Sequence, residues 1–316
     1  MSAEAQNQVQ RLERDLELEM EAAQPRLSRG TARRPIGIAV VVIAVLLLWE
    51  GAKFLGGTPW RAPGALPGTP VLWNPPFRWA FANDINLPHV YNIVWSMGQP
   101  FQRGASVNLL QYLIGAAFHT WVEAFVGFVL GSLLGLGLAT AFVHSRLAER
   151  AFVPYVIASQ TIPIMALAPL IVFALGQGIG SVIVIATYLT FFPVTIAMVR
   201  GLRTFDPRAL ELMRSYGASK RRIYTKLRLP ASLPYLFTAL KIAATASIVG
   251  AIIAEDTGGI QEGLGRVIIT FNQYYATEPA KLWAAIFVAA VLGILFFIVI
   301  RVAELLVLRG RPGVEA

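Results

Sequence analysis

Histidine, cysteine and paired acids build most site chemistry, and this chain has few of them. Its 316 residues include three histidines and no cysteine. A thiolate nucleophile and a Cys-ligated zinc are therefore excluded. His89, His119 and His144 stand far apart at no metal-ligand spacing, and no Ser/His/Asp arrangement can be assembled around them. The phosphate-cradling pattern G-x-x-x-x-G-K-[ST] does not occur. No catalytic residue, metal or cofactor is expected. The informative polar residues lie inside apolar runs: Gln160, Thr161, Thr187, Tyr188, Thr190, Thr245, Ser247 and Glu255. Polar groups in such runs face a protein interior or a wet cavity rather than lipid. They are candidates for a substrate path, although each Ser or Thr alone also reads as a hydroxyl bonded to its own helix. Lys241 reads either as snorkelling to an interface or as a pairing or gating residue. Glu123 reads either as facing a pore or as sitting near the outer interface beside His119.

The elements that carry these residues are apolar and long. Hydrophobic residues make up 56% of the chain and charged residues 14%, against roughly 25% charged in an average globular protein. About 20 apolar residues cross a bilayer as a helix. Six such stretches lie near 36–55, 115–143, 153–175, 180–199, 235–254 and 282–308. The expected fold is an all-α integral membrane protein with six transmembrane helices. The first stretch resembles the apolar region of a signal peptide. The 35 residues before it are too long and too acidic for that reading, so an uncleaved helix is expected. Gly127, Gly131 and Gly135 stand four apart and form a smooth stripe for close helix approach. Pro163 and Pro169 should bend the third span, and Gly176-Gln177-Gly178-Ile179-Gly180 makes a tight connection to the fourth.

The net charge of +9 follows from topology. With the N-terminus in the cytoplasm and six alternating spans, the inside segments 1–35, 144–152, 200–234 and 300–316 hold six, two, nine and three Lys/Arg. The outside segments 53–114 and 255–281 hold four and two. That asymmetry obeys the positive-inside rule, and it removes the case for nucleic-acid binding. Residues 1–35 form a cytoplasmic tail with an amphipathic helix on Val9, Leu12, Leu16 and Met20, then a basic cluster of Arg26, Arg29, Arg33 and Arg34 suited to anionic lipid. Residues 56–112 form an outside segment rich in tryptophan (Trp60, Trp73, Trp79, Trp95) with an interfacial helix near 88–101. Residues 113–308 form a five-helix core, and 309–316 a second cytoplasmic tail.

The segment 200–234 differs from every other loop. Asp206 can cap a helix with Pro207 at its first position. That helix would run over about 207–216, with Leu210, Met213 and Tyr216 on one apolar face. Gly217 suits the left-handed residue that ends it. A second helix starts at Ser219, and Pro230 and Pro234 should break the chain before span five. A purely structural loop needs no such apolar face, whereas a docking element does.

These residues resemble a known family. The pattern E-A-A-x₃-G-x₉-I-x-L-P marks the permease subunits of bacterial ABC importers. Here it stands as Glu211-Leu212-Met213, Gly217, Leu227 and Leu229-Pro230, with apolar replacements for the two alanines and the isoleucine. The resemblance covers about 113–308. It is greatest to the nitrate/sulfonate/taurine class, which includes riboflavin and hydroxymethylpyrimidine permeases, and it rests on SQTIPIMALAPL, LTFFPVTI, RSYGAS, RLPASLPYLFTALKIA and FNQYYATEPAKLW. The segment 56–112 is longer than expected for that class.

The resemblance implies a type I (MetI-like) importer core in the bacterial inner membrane, with both termini cytoplasmic. Two permease subunits, identical or paralogous, would form the pore. Two separate ATPase subunits would sit below, and an extracytoplasmic binding protein would deliver a small nutrient. The short helix would be the coupling helix, with Glu211, Leu212, Met213, Tyr216, Gly217, Ala218, Leu229 and Pro230 serving ATPase coupling. A stand-alone secondary transporter or channel would instead show repeats with broken helices, and a membrane-embedded enzyme would show a catalytic cluster. The topology is directly testable. In intact cells, an impermeant thiol reagent should label Thr69→Cys and not Ala316→Cys, and the reverse pattern would invert the topology.

Overall fold

The computed structural model describes residues 33–64 and 69–309. The amphipathic segment 3–23, Arg26 and Arg29 of the basic cluster, and residues 310–316 lie outside the described residues. The described chain is helical, with isolated β-bridges and no strand. Its α-helices are α1 (Arg33–Leu55), α2 (Val90–Met97), α3 (Leu109–His144), α4 (Arg146–Ser159), α5 (Ile164–Leu175), α6 (Ile179–Gly201), α7 (Pro207–Ser215), α8 (Lys220–Ile223), α9 (Leu229–Thr257), α10 (Leu264–Gln273) and α11 (Pro279–Leu308). By length and composition, α3, α6, the continuous run Lys220–Thr257 and α11 can each cross a membrane. The pair α4–α5, bent by 103°, makes a fifth if counted as one span. Helix α1, at 23 residues, carries the first apolar stretch.

The chain divides into two compact units. In the first, the end of α1 meets the segment Pro75–Ala82. Gly56 bridges Phe77, and Arg78 donates to the Gly57 carbonyl at 3.0 Å. Phe77, Trp79 and Phe81 stack in sequence with ring centroids 5.9 and 5.6 Å apart. The second unit holds Pro59–Asn74 and the chain from Asn83 onward.

In this second unit, α3 begins at a capping box. The Asn108 side chain accepts from the Gln111 amide at 2.8 Å, and the Gln111 side chain accepts from the Asn108 amide at 3.4 Å. These contacts satisfy donors that a helix start leaves open. The glycine stripe then sets the packing, as the sequence predicts. A Cβ at Gly131 would lie 2.6 Å from Thr190 Cβ, and one at Gly135 would lie 2.7 Å from the Phe191 carbonyl. Helices α3 and α6 therefore touch backbone to backbone. Helix α9 joins through Gly250, whose absent Cβ would lie 3.1 Å from Ala186 Cα. Ala124, Ile185, Val194, Met198, Ala243, Ala251 and Ala254 are all fully buried in the resulting core. Phe296 of α11 closes it edge-to-face on Phe128 at 5.0 Å.

Two expectations are corrected and one is made specific. The stretch 153–175 is bent, by 103° at a short break between α4 and α5. Pro163 caps α5 and ends helical continuity, because a proline disfavours helix in the residue before it, while Pro169 stays inside α5. Pro230 and Pro234 do not break the chain, because Lys220–Thr257 runs as one helix. A π-turn at Tyr224–Arg228 precedes the prolines, and its register shift lets the Leu229 amide reach the Tyr224 carbonyl. The interfacial helix is shorter than expected, at Val90–Met97. Of the two readings of Lys241, pairing is the one realised. Its ammonium donates to Glu304 at 2.8 and 3.0 Å, and Arg301 binds the same carboxylate at 2.5 Å.

Replacing Gly131 by Leu should force α3 and α6 apart. Overpacking of this kind costs about 1–3 kcal/mol. The expected outcome is a lower yield of folded, detergent-stable protein on size exclusion. A normal yield and normal thermal stability would show that this face does not carry the packing.

Candidate functional site

The loop between α6 and α9 is built from local rules. The Asp206 carboxylate accepts from the Arg208 amide at 2.9 Å, with Pro207 at the first helical position. Helix α7 ends in a Schellman motif. The Gly217 amide donates to the Arg214 carbonyl and the Ala218 amide to the Met213 carbonyl, both at 2.9 Å. Gly217 has φ +66°, a conformation in which a side chain is strained. Ser219 then caps α8 by accepting from the Arg222 amide at 3.3 Å.

No residue of α7 is buried. Leu212 is 58% exposed and Tyr216 82% exposed, while Leu210 and Met213 are half-buried. The outward apolar face therefore includes Leu212 beside Tyr216, shifted from the Leu210–Met213–Tyr216 stripe read from spacing. Glu211 is exposed and makes no hydrogen bond among the described residues. The loop is tied to the spans at its two ends. Arg203 donates to Glu149 of α4 at 2.7 Å, the Arg228 guanidinium lies 5.1 Å over the Phe205 ring, and the Tyr224 hydroxyl meets Thr140 of α3 at 2.7 Å. Exposed ion pairs contribute only about 0–1 kcal/mol, so these contacts orient the loop more than they stabilise it. Leu229 and Pro230 are half-buried at the start of α9.

The eight polar residues proposed for a path have different surroundings. Thr190 and Ser247 are fully buried and donate to carbonyls of their own helices at 2.8 and 2.9 Å. Thr245 donates within α9 at 2.9 Å, and Thr187 reaches the Gly127 carbonyl at 3.3 Å. Tyr188 donates to the Ser159 carbonyl. Gln160 and Thr161 sit at the α4–α5 break, where the Thr161 hydroxyl donates to the Ala158 carbonyl at 2.7 Å. Glu255 stands apart from these seven, in an acid cluster.

That cluster forms where α3, α9 and the start of α10 meet. Glu123 is 1% exposed and Glu255 0%. The Gly265 amide donates to Glu255 Oε2 at 2.6 Å, and the Leu264 amide donates to the Thr120 hydroxyl at 2.8 Å. Gly263, at φ +100°, turns the chain so that Gly263-Leu264-Gly265 clasps the Glu255 carboxylate. His119 Nδ1 lies 3.6 Å from Glu123 Oε1, and its Nε2 lies 3.2 Å from Glu262 Oε2. Glu123 therefore lies beside His119. This contact corrects the view of His119 as isolated. Ligand-type atoms of His119, Glu123 and Glu255 lie within 4.8 Å of one another, a donor set that suits a divalent cation by type. Both Glu123 oxygens, Glu255 Oε1 and His119 Nδ1 lack a hydrogen-bond donor or acceptor among the described residues. A hydrogen bond between the two carboxyls exists only if one carries a proton. Glu123, His119, Gln111, Gln261 and Glu262 face a cleft of about 730 Å³ whose other walls include Phe118, Val122, Val126, Ile179, Ile183 and Val267.

Thr120, Glu262 and the Gly-Leu-Gly clasp were not legible as a site. The sequence signals were two acids in apolar runs, Glu123 beside His119 and Glu255, the latter with Gly263-Leu264-Gly265 following eight residues on.

Comparison with known proteins gives this architecture a family. The family model described as binding-protein-dependent transport system inner membrane component matches residues 108–309. The chain is 32% identical to the formylaminopyrimidine transport permease protein ThiX of Halalkalibacterium halodurans, over 69% of this chain and 92% of that protein. It is 28% identical to the riboflavin transport system permease protein RibX of Chloroflexus aurantiacus, over 74% and 75% of the two chains. Two solved structures share the fold. An amino acid ABC transporter aligns with TM-score 0.52 at 16% identity, over 63% of this chain and 98% of its own. The methionine ABC transporter MetNI in an inward-facing conformation aligns with TM-score 0.51 at 21% identity, over 64% and 96%. The matched residues run from the cap of α3 to the end of α11 and include the whole α6–α9 loop, and the chain belongs to the binding-protein-dependent transport system inner membrane components, the permease subunits of ABC importers.

Proposed function

We propose that two copies of this permease, or one with a paralogue, form the pore of an importer driven by two ATPase subunits and fed by an extracytoplasmic binding protein. Both termini and the α6–α9 loop face the cytoplasm in six alternating spans, in line with the Lys/Arg asymmetry. The cargo is a small nutrient with an aromatic heterocycle, a pyrimidine precursor or a flavin, as the names of the similar permeases suggest.

One observation carries the coupling role. Helix α7 is capped at both ends by its own sequence, is buried nowhere, and turns Leu212, Tyr216 and Glu211 outward. Exposed apolar side chains on a locally rigid helix supply a docking surface, with Glu211 as a charge-assisted hydrogen-bond partner at its centre. The ties from Arg203 to α4 and from Tyr224 to α3 carry movement of α7 into the spans. ATP-driven approach of the ATPases then draws the two coupling helices together and turns the pore from inward-facing to outward-facing. Thr187, Thr190, Thr245, Ser247, Gln160, Thr161 and Tyr188 remain proposed path residues at the helix contacts that such a movement rearranges.

Gly217→Val should strain the Schellman turn, and Glu211→Ala should remove the polar anchor. Truncating a buried interface anchor costs about 2 kcal/mol or more, a loss of roughly thirtyfold in affinity. Both variants should still insert in the membrane, yet pull down less ATPase and lose stimulation of ATP hydrolysis by loaded binding protein. Full ATPase association together with full stimulation in both variants would refute the coupling assignment.

A further inference from the structure

Four arginines converge where the α3–α4 turn meets the α6–α9 loop. Arg146 and Arg150 stand four apart at the start of α4 and so share one face of it. With Arg203, which follows α6, and Arg228, which precedes α9, they line a cavity of about 380 Å³. A guanidinium keeps its charge at any physiological pH. Glu149 is the acid on these walls, and Arg203 already holds it at 2.7 Å. Arg146 and Arg150 feel Glu149 only at longer range. Arg228 lies over the Phe205 ring, and its charged neighbours Arg203 and Arg214 repel it. Arg146, Arg150 and Arg228 form no ion pair or hydrogen bond among the described residues. The cavity is thus rich in donors and short of anionic oxygens.

Guanidinium forks match the oxygens of a phosphate with paired N–H donors. The surroundings select the source of that phosphate. The cavity opens at the end of α3, a helix long and apolar enough to span the membrane, where Val143 forms part of its wall. On α4, beside Arg146 and Arg150, the apolar side chains of Leu147, Phe152 and Tyr155 are exposed. A basic cavity next to exposed apolar side chains at the end of a span suits an amphiphile, with its phosphate among the arginines and its acyl chains along α4. The outward residues of α7, Leu212 and Tyr216, do not line this cavity, so docking on α7 does not account for it. Basic pockets between membrane helices on the cytoplasmic side recruit anionic headgroups. We propose that this cavity binds the phosphate of an anionic phospholipid from the cytoplasmic leaflet. Arg146 and Arg150 hold it from α4 and Arg228 from the loop, so the bound lipid ties the loop to the spans beside the Arg203–Glu149 pair. A headgroup that carries its own cation is disfavoured, because the arginines repel it. The proposal rests on the cytoplasmic placement of the α6–α9 loop only for the leaflet that supplies the lipid.

The test titrates the full-length permease in neutral detergent with dioctanoyl phosphatidylglycerol, dioctanoyl phosphatidylcholine or inorganic phosphate. Native mass spectrometry counts the bound molecules. The first phosphatidylglycerol should bind at least about tenfold more tightly than phosphatidylcholine, whose phosphate is the same but whose choline is repelled. Arg150→Gln and Arg228→Gln should each weaken that first site at least about tenfold, the scale of one hydrogen bond to a charged group. Arg221→Gln and Arg222→Gln, at exposed positions of α8 outside the cavity, should leave it unchanged. Equal affinity for the two lipids, or an unchanged first site in Arg150→Gln or Arg228→Gln, overturns the proposal. An equal loss in Arg221→Gln and Arg222→Gln also overturns it, in favour of diffuse surface charge. Inorganic phosphate bound as tightly as phosphatidylglycerol overturns the lipid source and assigns the cavity to a soluble phosphate compound. If Arg228→Gln does not fold, the exposed Arg150→Gln and the comparison of the two lipids decide the matter. The titration involves neither the ATPase nor a membrane orientation. An inverted topology would show separately, in the thiol labelling of Thr69→Cys and Ala316→Cys.

Discussion

The close approach of α3, α6 and α9 is the contact on which the rest of the molecule depends. Hydrocarbon gives helices no reason to associate through apolar bulk, so association must come from tight van der Waals packing. Gly127, Gly131 and Gly135 bring α3 against Ala186, Thr190 and Val194 of α6, and Gly250 brings α9 onto the same seam. Glu123 sits one turn before the first of these glycines, on the helix that the seam holds. Glu255 sits near the end of α9, held by the same packing. The seam thus forces two acids together that would otherwise avoid each other.

That arrangement divides the permease into a closely packed part and a helix that the core does not bury. The seam and the Lys241–Glu304–Arg301 cluster hold the helices, since a buried ion pair stripped of one partner costs about 3–5 kcal/mol. Helix α7 has no comparable burial. Its form comes from its Asp206 cap, its Pro207 start and its Gly217 stop, so it is preorganised by its own sequence. Preorganisation lowers the ordering cost of binding. The exposed faces of Leu212 and Tyr216 are then available for contact outside the chain rather than for its own core.

Much of this was legible in the amino-acid sequence, for identifiable reasons. The apolar runs, the glycine stripe, the cap and stop of α7 and the positive φ of Gly217 are local properties set by residues within one helical turn or by composition over about 20 residues. Among the path candidates, Thr161, Thr190, Thr245 and Ser247 are likewise local, because each hydroxyl bonds a carbonyl three or four residues back, whereas Thr187 and Tyr188 reach carbonyls of other helices. Local rules failed where two registers met. Pro230 and Pro234 read as breaks, and they sit inside a continuous helix because a π-turn one residue longer than an α-turn shifts the register ahead of them.

The sequence by itself determined the membrane class, the helix-bearing segments, the form of the α6–α9 loop and, through its motif, the family. Only the tertiary structure decided which intramembrane charges meet. Glu123 and Glu255 are 132 positions apart, and Lys241 and Glu304 are 63 apart. Spacing along a chain carries no information about contacts between helices, because these depend on each helix's rotation and crossing. Close packing turned His119, Glu123 and Glu255 into one site, and the Gly263-Leu264-Gly265 turn reached back to close it. Each of those residues reads as unremarkable until the helices are in place.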